Sequence, residues 1–238
     1  MKIVCDLTDR LYSLCDRKGW TQETIGYNSL AISWLEISRL LHSNHLTLMV
    51  GLKLHPTLQL TYEVFEQLCR QNPDLRLERS AQGELIAMAP AGSETGYRNA
   101  DLLGQLWQWN RQRQLGIVLD SSAGFTLPNG AIRSPDVAWI TQSRWNALTP
   151  EQRRRFAPLC PDFVLELKSP GDELSTLQAK LQEYIENGAK LGWLIDPDAC
   201  RVYCYSLGQP LQVYDRPENL PGDPILPGFT MDFTLIWR

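Results

Sequence analysis

The chain reads as an α+β domain. Two observations predict it. One apolar strand, "PDFVLELKSP" (residues 161–170), stands near the middle of an alternating series of strands and helices, and the best amphipathic helix follows it directly. The composition agrees: 238 residues, 43% apolar and 21% charged, suit one folded domain or one domain with an extension.

Residues 1–48 differ from the remainder and are read as an N-terminal extension. "NSLAISWLEISRLLHSN" within them fits one amphipathic helix with Ile32, Leu35, Ile37, Leu40 and Leu41 apolar. Residues 49–238 form the patterned domain. There Thr61 can cap a helix from Tyr62 to about Gln71, which Asn72-Pro73 stops. "LRLERSAQGELIAMAP" reads as two strands around a turn at Gln82-Gly83. Ser93 starts a second helix with a core stripe of Leu102, Leu103, Leu106 and Trp107. "GIVLDSS", "GFTLP" and "SPDVAWI" read as short strands, and "TPEQRRRF" as a short helix. After the central strand, "SPGDELSTLQAKLQEYIENGAK" is helical, with Asp172 as N-cap and Gly188 past the C-terminus. Its Leu174, Leu177, Leu181, Tyr184 and Ile185 should face the sheet. "LGWLID", "RVYCYS" and "LQVYD" complete the strands.

Several function classes drop out. No apolar run is long enough for a membrane span, and the charged start lacks a signal peptide's apolar core. Six cysteines without a CxxC pair fit free thiols in a reducing cytoplasm. No histidine follows His55, which removes a Ser-His-Asp site and a His-Cys zinc site from the patterned domain. "GSETG" lacks the Lys and Ser/Thr of a phosphate loop, so no nucleotide cofactor is expected. The net charge of −4 argues mildly against nucleic acid, but residues 98–155 carry eight arginines against four acids. A local basic face there would suit phosphates, although a solvated surface explains any single arginine.

What remains is carboxylates with lysine. Glu166 and Lys168 lie two apart in the central strand, so they share a face while Leu167 packs the other way. A second acid, Asp136, opens the strand "DVAWI", in which Val137 and Trp139 face one way. On adjacent strands, Asp136 and Glu166 could chelate one Mg²⁺, with the Leu167 carbonyl and waters completing its coordination. Such an ion acidifies water and polarises a phosphate oxygen, while Lys168 would orient that water or stabilise developing negative charge. The bland alternative is a structural Glu166–Lys168 ion pair at a strand end. An acid/base hydrolase using Asp136 and Glu166 on another substrate also fits the spacing.

Pro135-Asp136 with Glu166-Leu167-Lys168 resembles the PD-(D/E)XK nuclease signature. More closely, "SPDVAWI", "CPDFVLELKSPGD" and "YIENGAKLGWLIDP" resemble the bacterial restriction-endonuclease-like domain family formerly described as a domain of unknown function. The resemblance covers about residues 55–215. It implies a restriction-endonuclease-like fold with a central mixed sheet flanked by helices. It also implies a Mg²⁺-dependent DNA endonuclease, with Mn²⁺ as a substitute, acting as a homodimer. The alternative is a catalytically silent nucleic-acid or protein interaction module that keeps the fold. By the same resemblance Lys180 and Tyr184, four apart on one helix, would contact substrate or tune the site, although Tyr184 reads equally as a core aromatic. Glu78 and Glu94 are candidates for an additional acid. Many relatives place a histidine near Glu94 or Thr95, and none stands there in this chain.

Overall fold

The computed structural model describes residues 60–238. The expected N-terminal helix, and the division at residue 48, lie outside the described residues.

The chain enters through α1 (Tyr62–Gln71), capped by Thr61, whose hydroxyl accepts from the Val64 N–H. The hairpin β1 (Arg76–Arg79) and β2 (Leu85–Met88) follows, and then the long helix α2 (Ser93–Arg113). Next come β3 (Gly116–Asp120), β4 (Phe125–Thr126), β5 (Ile132–Arg133) and β6 (Val137–Thr141). Two short helices, α3 (Gln142–Ala147) and α4 (Pro150–Arg154), precede the central strand β7 (Phe163–Leu167). Then α5 (Leu174–Glu186), β8 (Leu191–Asp196), β9 (Arg201–Ser206) and β10 (Gln212–Asp215) complete the main sheet, and β11 (Asn219–Pro221) pairs with β12 (Thr230–Asp232).

Six strands form that sheet in the order β10-β9-β8-β7-β6-β3. It is mixed: β7 runs parallel to β8, because α5 carries the chain back between them, and the other pairings are antiparallel. A second sheet, β2-β1-β5-β4, places β1 beside β5.

Strand alternation decides what each face meets. Phe163, Leu165 and Leu167 join Val137, Trp139 and Trp193 in one core with Leu102, Leu106 and Trp109 of α2 and the C-terminal Phe229, Phe233 and Ile236. Val164 joins Ala138, Ile140 and Leu194 in a second core with Leu177, Leu181, Tyr184 and Ile185 of α5. Gly192 sets the approach of α5, because a Cβ there would lie 2.8 Å from the Leu181 side chain. Glu166 is on the α5 side of β7, so the helix that packs on the sheet also supplies the neighbours of that carboxylate.

Two details depart from the sequence pattern. Trp107 is not in the core stripe; it is 50% exposed, and Trp109 is buried against Trp139 and Phe229 in its place. The inward face of α2 follows Thr95, Leu102, Leu106 and Trp109, and residue 107 lies about 100° around the helix from residue 106. At α5 the N-cap is Glu173, not Asp172, whose carboxylate instead accepts from the Ser169 N–H at 2.8 Å. Gly188 does follow the C-cap Asn187, with a φ of 107° that favours glycine.

Candidate active site

The expected acids converge at one end of β6 and β7. Val137 pairs with Leu165, so Asp136 emerges beside Glu166-Leu167. Asp136 Oδ2 accepts from the Leu167 N–H at 2.9 Å, which fixes the carboxylate against the last residue of β7. Glu166 is buried, and its Oε1 receives the Tyr184 hydroxyl at 3.1 Å and the Lys180 ammonium at 2.8 Å. The four-residue spacing of Lys180 and Tyr184 puts both on the sheet-facing side of α5, above that oxygen.

Glu78 joins the same group from β1. Its Oε1 lies 2.9 Å from Lys180 Nζ and accepts from the Ser134 N–H at 2.8 Å, and its Oε2 lies 3.1 Å from Arg133. Arg133 also holds Glu183 at 2.7 Å. One ammonium therefore bridges two buried carboxylates, and one guanidinium ties the first of them to α5.

Lys168 does not pair with Glu166. Its ammonium lies 3.6 Å from Asp196, the last residue of β8, and 2.9 Å from Asp198 just past it. The proposed structural Glu166–Lys168 ion pair is thus replaced by Glu166–Lys180. Residues i and i+2 share a strand face only while both lie in the strand, and β7 ends at Leu167. Glu94 is not brought to the group either; it is largely exposed and pairs with Arg98 on its own helix. Tyr184 is both a fully buried core aromatic and a hydrogen-bond donor to Glu166.

The electrostatics separate the acids. Burial would raise the Glu78 carboxyl, but Lys180, Arg133 and the Ser134 N–H outweigh it and hold Glu78 below the usual range. Burial raises Glu166 to about 8; Lys180 opposes this, and the neighbouring Asp136 and Glu78 charges add to it. Burial also raises Asp136, against the Leu167 N–H and Lys180. Lys180 is held above its ordinary value because Glu166 and Glu78 outweigh its burial. Tyr184 is raised well above its ordinary value by burial and by the same two acids.

The donor set fits a hard divalent cation. Among the described residues no hydrogen bond uses Asp136 Oδ1 or Glu166 Oε2, and neither atom is among the fully enclosed polar atoms without a partner. Two neighbouring carboxylates with raised proton affinity, each with one oxygen lacking a hydrogen-bond partner among the described residues, suit an ion that takes few protein ligands and keeps its waters. No group of three or more His, Cys, Asp and Glu side chains among the described residues is arranged to hold a metal ion. The fit is therefore that of a two-carboxylate site and not of an all-protein cage.

Sequence reading missed Arg133, Ser134 and Glu183. Glu183 carried a signal, standing three residues after Lys180 on the same helix face. Arg133 carried none, because its partners come from β1 and α5. The arginine-rich stretch is largely occupied: Arg98, Arg144 and Arg155 are in ion pairs with Glu94, Asp162 and Glu66, and Arg153 covers Trp145. Arg111, Arg113 and Arg154 of the same stretch are exposed. No helix among the described residues is long and apolar enough to cross a membrane.

The family model described as Uma2, putative restriction endonuclease, matches residues 62–234. A second model, a domain of unknown function (DUF8807), matches residues 1–50. No curated protein matches the chain. Among solved structures, a crystal structure of a putative nuclease belonging to DUF820 from Anabaena variabilis ATCC 29413 is similar at a TM-score of 0.59 and 18% identity. The similarity covers 68% of this chain and 89% of that one, and it shows a common fold.

Proposed function

Since this chain belongs to the Uma2 family of putative restriction endonucleases, we propose that it is a Mg²⁺-dependent DNA endonuclease whose centre is Asp136 and Glu166. The observation that supports this reading best is the pairing of those two carboxylates, each with its proton affinity raised and each with one oxygen that has no hydrogen-bond partner among the described residues. Asp136, Glu166 and the Leu167 carbonyl are the residues that would hold the ion. When bound, the ion supplies Lewis-acid polarisation of a phosphate oxygen and lowers the pKa of water.

The chain's own residues prepare the site. The Leu167 N–H orients Asp136 by Oδ2, and no described residue hydrogen-bonds Oδ1. Tyr184 and Lys180 hold Glu166 by Oε1, and no described residue hydrogen-bonds Oε2. Burial favours the protonated form of Glu166, and Glu166 must be free of its proton to serve as a ligand. Lys180 is the fixed positive charge against Glu166, so electrostatic support of developing negative charge falls to Lys180 in this arrangement. Lys168, the other candidate for that role, would first have to leave Asp198 and Asp196.

That engagement of Lys168 favours a second reading, a catalytically silent interaction module that keeps the fold. Thermal unfolding with Mg²⁺ and with EDTA separates the two. Binding to the native state alone stabilises it. Mg²⁺ should raise the Tm of the wild type and leave Asp136→Asn and Glu166→Gln unmoved. Equal response of all three proteins, or none in the wild type, would remove the site from the account.

A further inference from the structure

Arg76 brings to the Asp136–Glu166 site a charge that forms no ion pair with a carboxylate among the described residues. It is the first residue of β1, two before Glu78, so both side chains leave the same face of that strand. Glu78 is buried there and accepts from the Ser134 N–H, two residues before Asp136. Arg76 is exposed, so this face of β1 runs from the buried acids outward to a guanidinium in solvent.

A second contact fixes where that guanidinium stands. Arg76 Nη2 donates to the Ser121 carbonyl at 2.9 Å. Ser121 follows Asp120, the last residue of β3, and Asp120 pairs with Val137 in the antiparallel β3–β6 register. One step further along that ladder brings Ser121 level with Asp136. β1 and the end of β3 thus converge on Asp136 from two sheets. The electrostatics agree: burial raises the Asp136 carboxyl, and the Arg76 charge is among those that oppose the rise.

The other cations around the two acids are committed. Lys180 bridges Glu78 and Glu166, Arg133 joins Glu78 to Glu183, and Lys168 holds Asp198 and Asp196. Asp120, the acid next to Ser121, turns its carboxylate to the Ser122 N–H and hydroxyl. The partner of Arg76 is a neutral carbonyl, which occupies one of its N–H donors and leaves its charge whole. A planar guanidinium with donors to spare matches the oxygens of a phosphodiester.

We propose that Arg76 is a substrate-binding residue of this site: braced by the Ser121 carbonyl, its guanidinium donates to a phosphate of the DNA strand that lies across Asp136 and Glu166. The inference rests on the nuclease reading for its substrate.

The experiment follows binding of a fluorescein-labelled DNA duplex by anisotropy over a series of NaCl concentrations in EDTA, and its cleavage with Mg²⁺. It compares the full chain with Arg76→Gln and Arg76→Lys, each checked by thermal unfolding. Arg76 is exposed and glutamine keeps a donor for the Ser121 carbonyl, so both variants should fold. Arg76→Gln should weaken binding about tenfold, the loss of one charge-assisted hydrogen bond. The slope of log affinity against log salt should fall by about 1 with it, as for one lost phosphate contact. Arg76→Lys should keep the wild-type slope, because the charge remains. In cleavage the loss should appear in KM, with kcat little changed. If Arg76 only braces β1 against Ser121, the salt slope of Arg76→Gln will equal that of the wild type. That result would overturn the proposal, while cleavage by the wild type would leave the nuclease reading standing. A wild type that does not bind the duplex would overturn both. A wild type that binds without cutting, with the slope still reduced in Arg76→Gln, would support the phosphate contact and remove the nuclease chemistry alone.

Discussion

Lys180 Nζ lies 2.8 Å from Glu166 Oε1 and pairs with Glu78 in the same position, although the basic residue nearest Glu166 in sequence is Lys168. The cation that neutralises the buried acid of the central strand thus comes from the helix packed over it. Two buried carboxylates depend on this one ammonium.

Lys180→Met should therefore destabilise the fold by about 3–5 kcal/mol, because it leaves Glu78 and Glu166 buried without that partner. Lys168→Met should cost about 1 kcal/mol or less, since Asp198, the nearer of its partners, is largely exposed. Urea unfolding of both variants checks the order. Equal costs would contradict the assignment of Lys180 as the partner of Glu166.

Tyr184 serves two ends, and two substitutions separate them. Tyr184→Phe keeps the ring in the α5 core and removes the hydroxyl that reaches Glu166, at a cost of about 1 kcal/mol. Tyr184→Ala also opens a cavity and should cost about 3–5 kcal/mol. Cleavage by Tyr184→Phe should fall if the hydroxyl positions Glu166, and it is measured on protein that is still folded.

The raised Glu166 carboxyl predicts a pH dependence with a definite sign. An acid whose folded pKa lies above its unfolded value binds its proton more tightly in the folded state. Its contribution is full below the unfolded value and is lost as pH rises through the folded value, here from 4.5 to about 8. Without metal, the wild type should lose stability relative to Glu166→Gln across that window, as read from urea midpoints. Mg²⁺ should stabilise the wild type more at the alkaline end, where the proton no longer competes. A constant gap between the two proteins from pH 5 to pH 8 would show that Glu166 does not titrate there.

Much of this was legible in sequence, for identifiable reasons. The order of elements followed from hydrophobic period, and Gly188 and Thr61 marked helix ends through local backbone chemistry. Asp136 and Glu166 stood out because charge in an apolar strand requires a partner. The identity of that partner was not local. Strand alternation pointed to Lys168, but β7 ends one residue earlier, and the ladder of Glu78, Lys180, Arg133 and Glu183 is assembled by β1, β5 and α5 from distant parts of the chain. Trp107 was misplaced because a leucine-rich helix offers two adjacent stripes, and the tertiary contacts of Trp109 chose between them.

Asp136→Asn isolates the metal ligand from the fold. The amide can still accept from the Leu167 N–H and removes one of the two repelling charges. Without metal its stability should match or slightly exceed that of the wild type. A loss of several kcal/mol would make Asp136 a structural residue first.

Conversion of supercoiled plasmid to nicked or linear DNA, by wild type and Asp136→Asn prepared in parallel, tests the central claim most directly. The account predicts cleavage by the wild type with Mg²⁺, its abolition by EDTA, and a fall of about 10²-fold or more in Asp136→Asn. A folded wild type that leaves the plasmid intact at millimolar Mg²⁺, or an Asp136→Asn protein that cuts equally well, would contradict it.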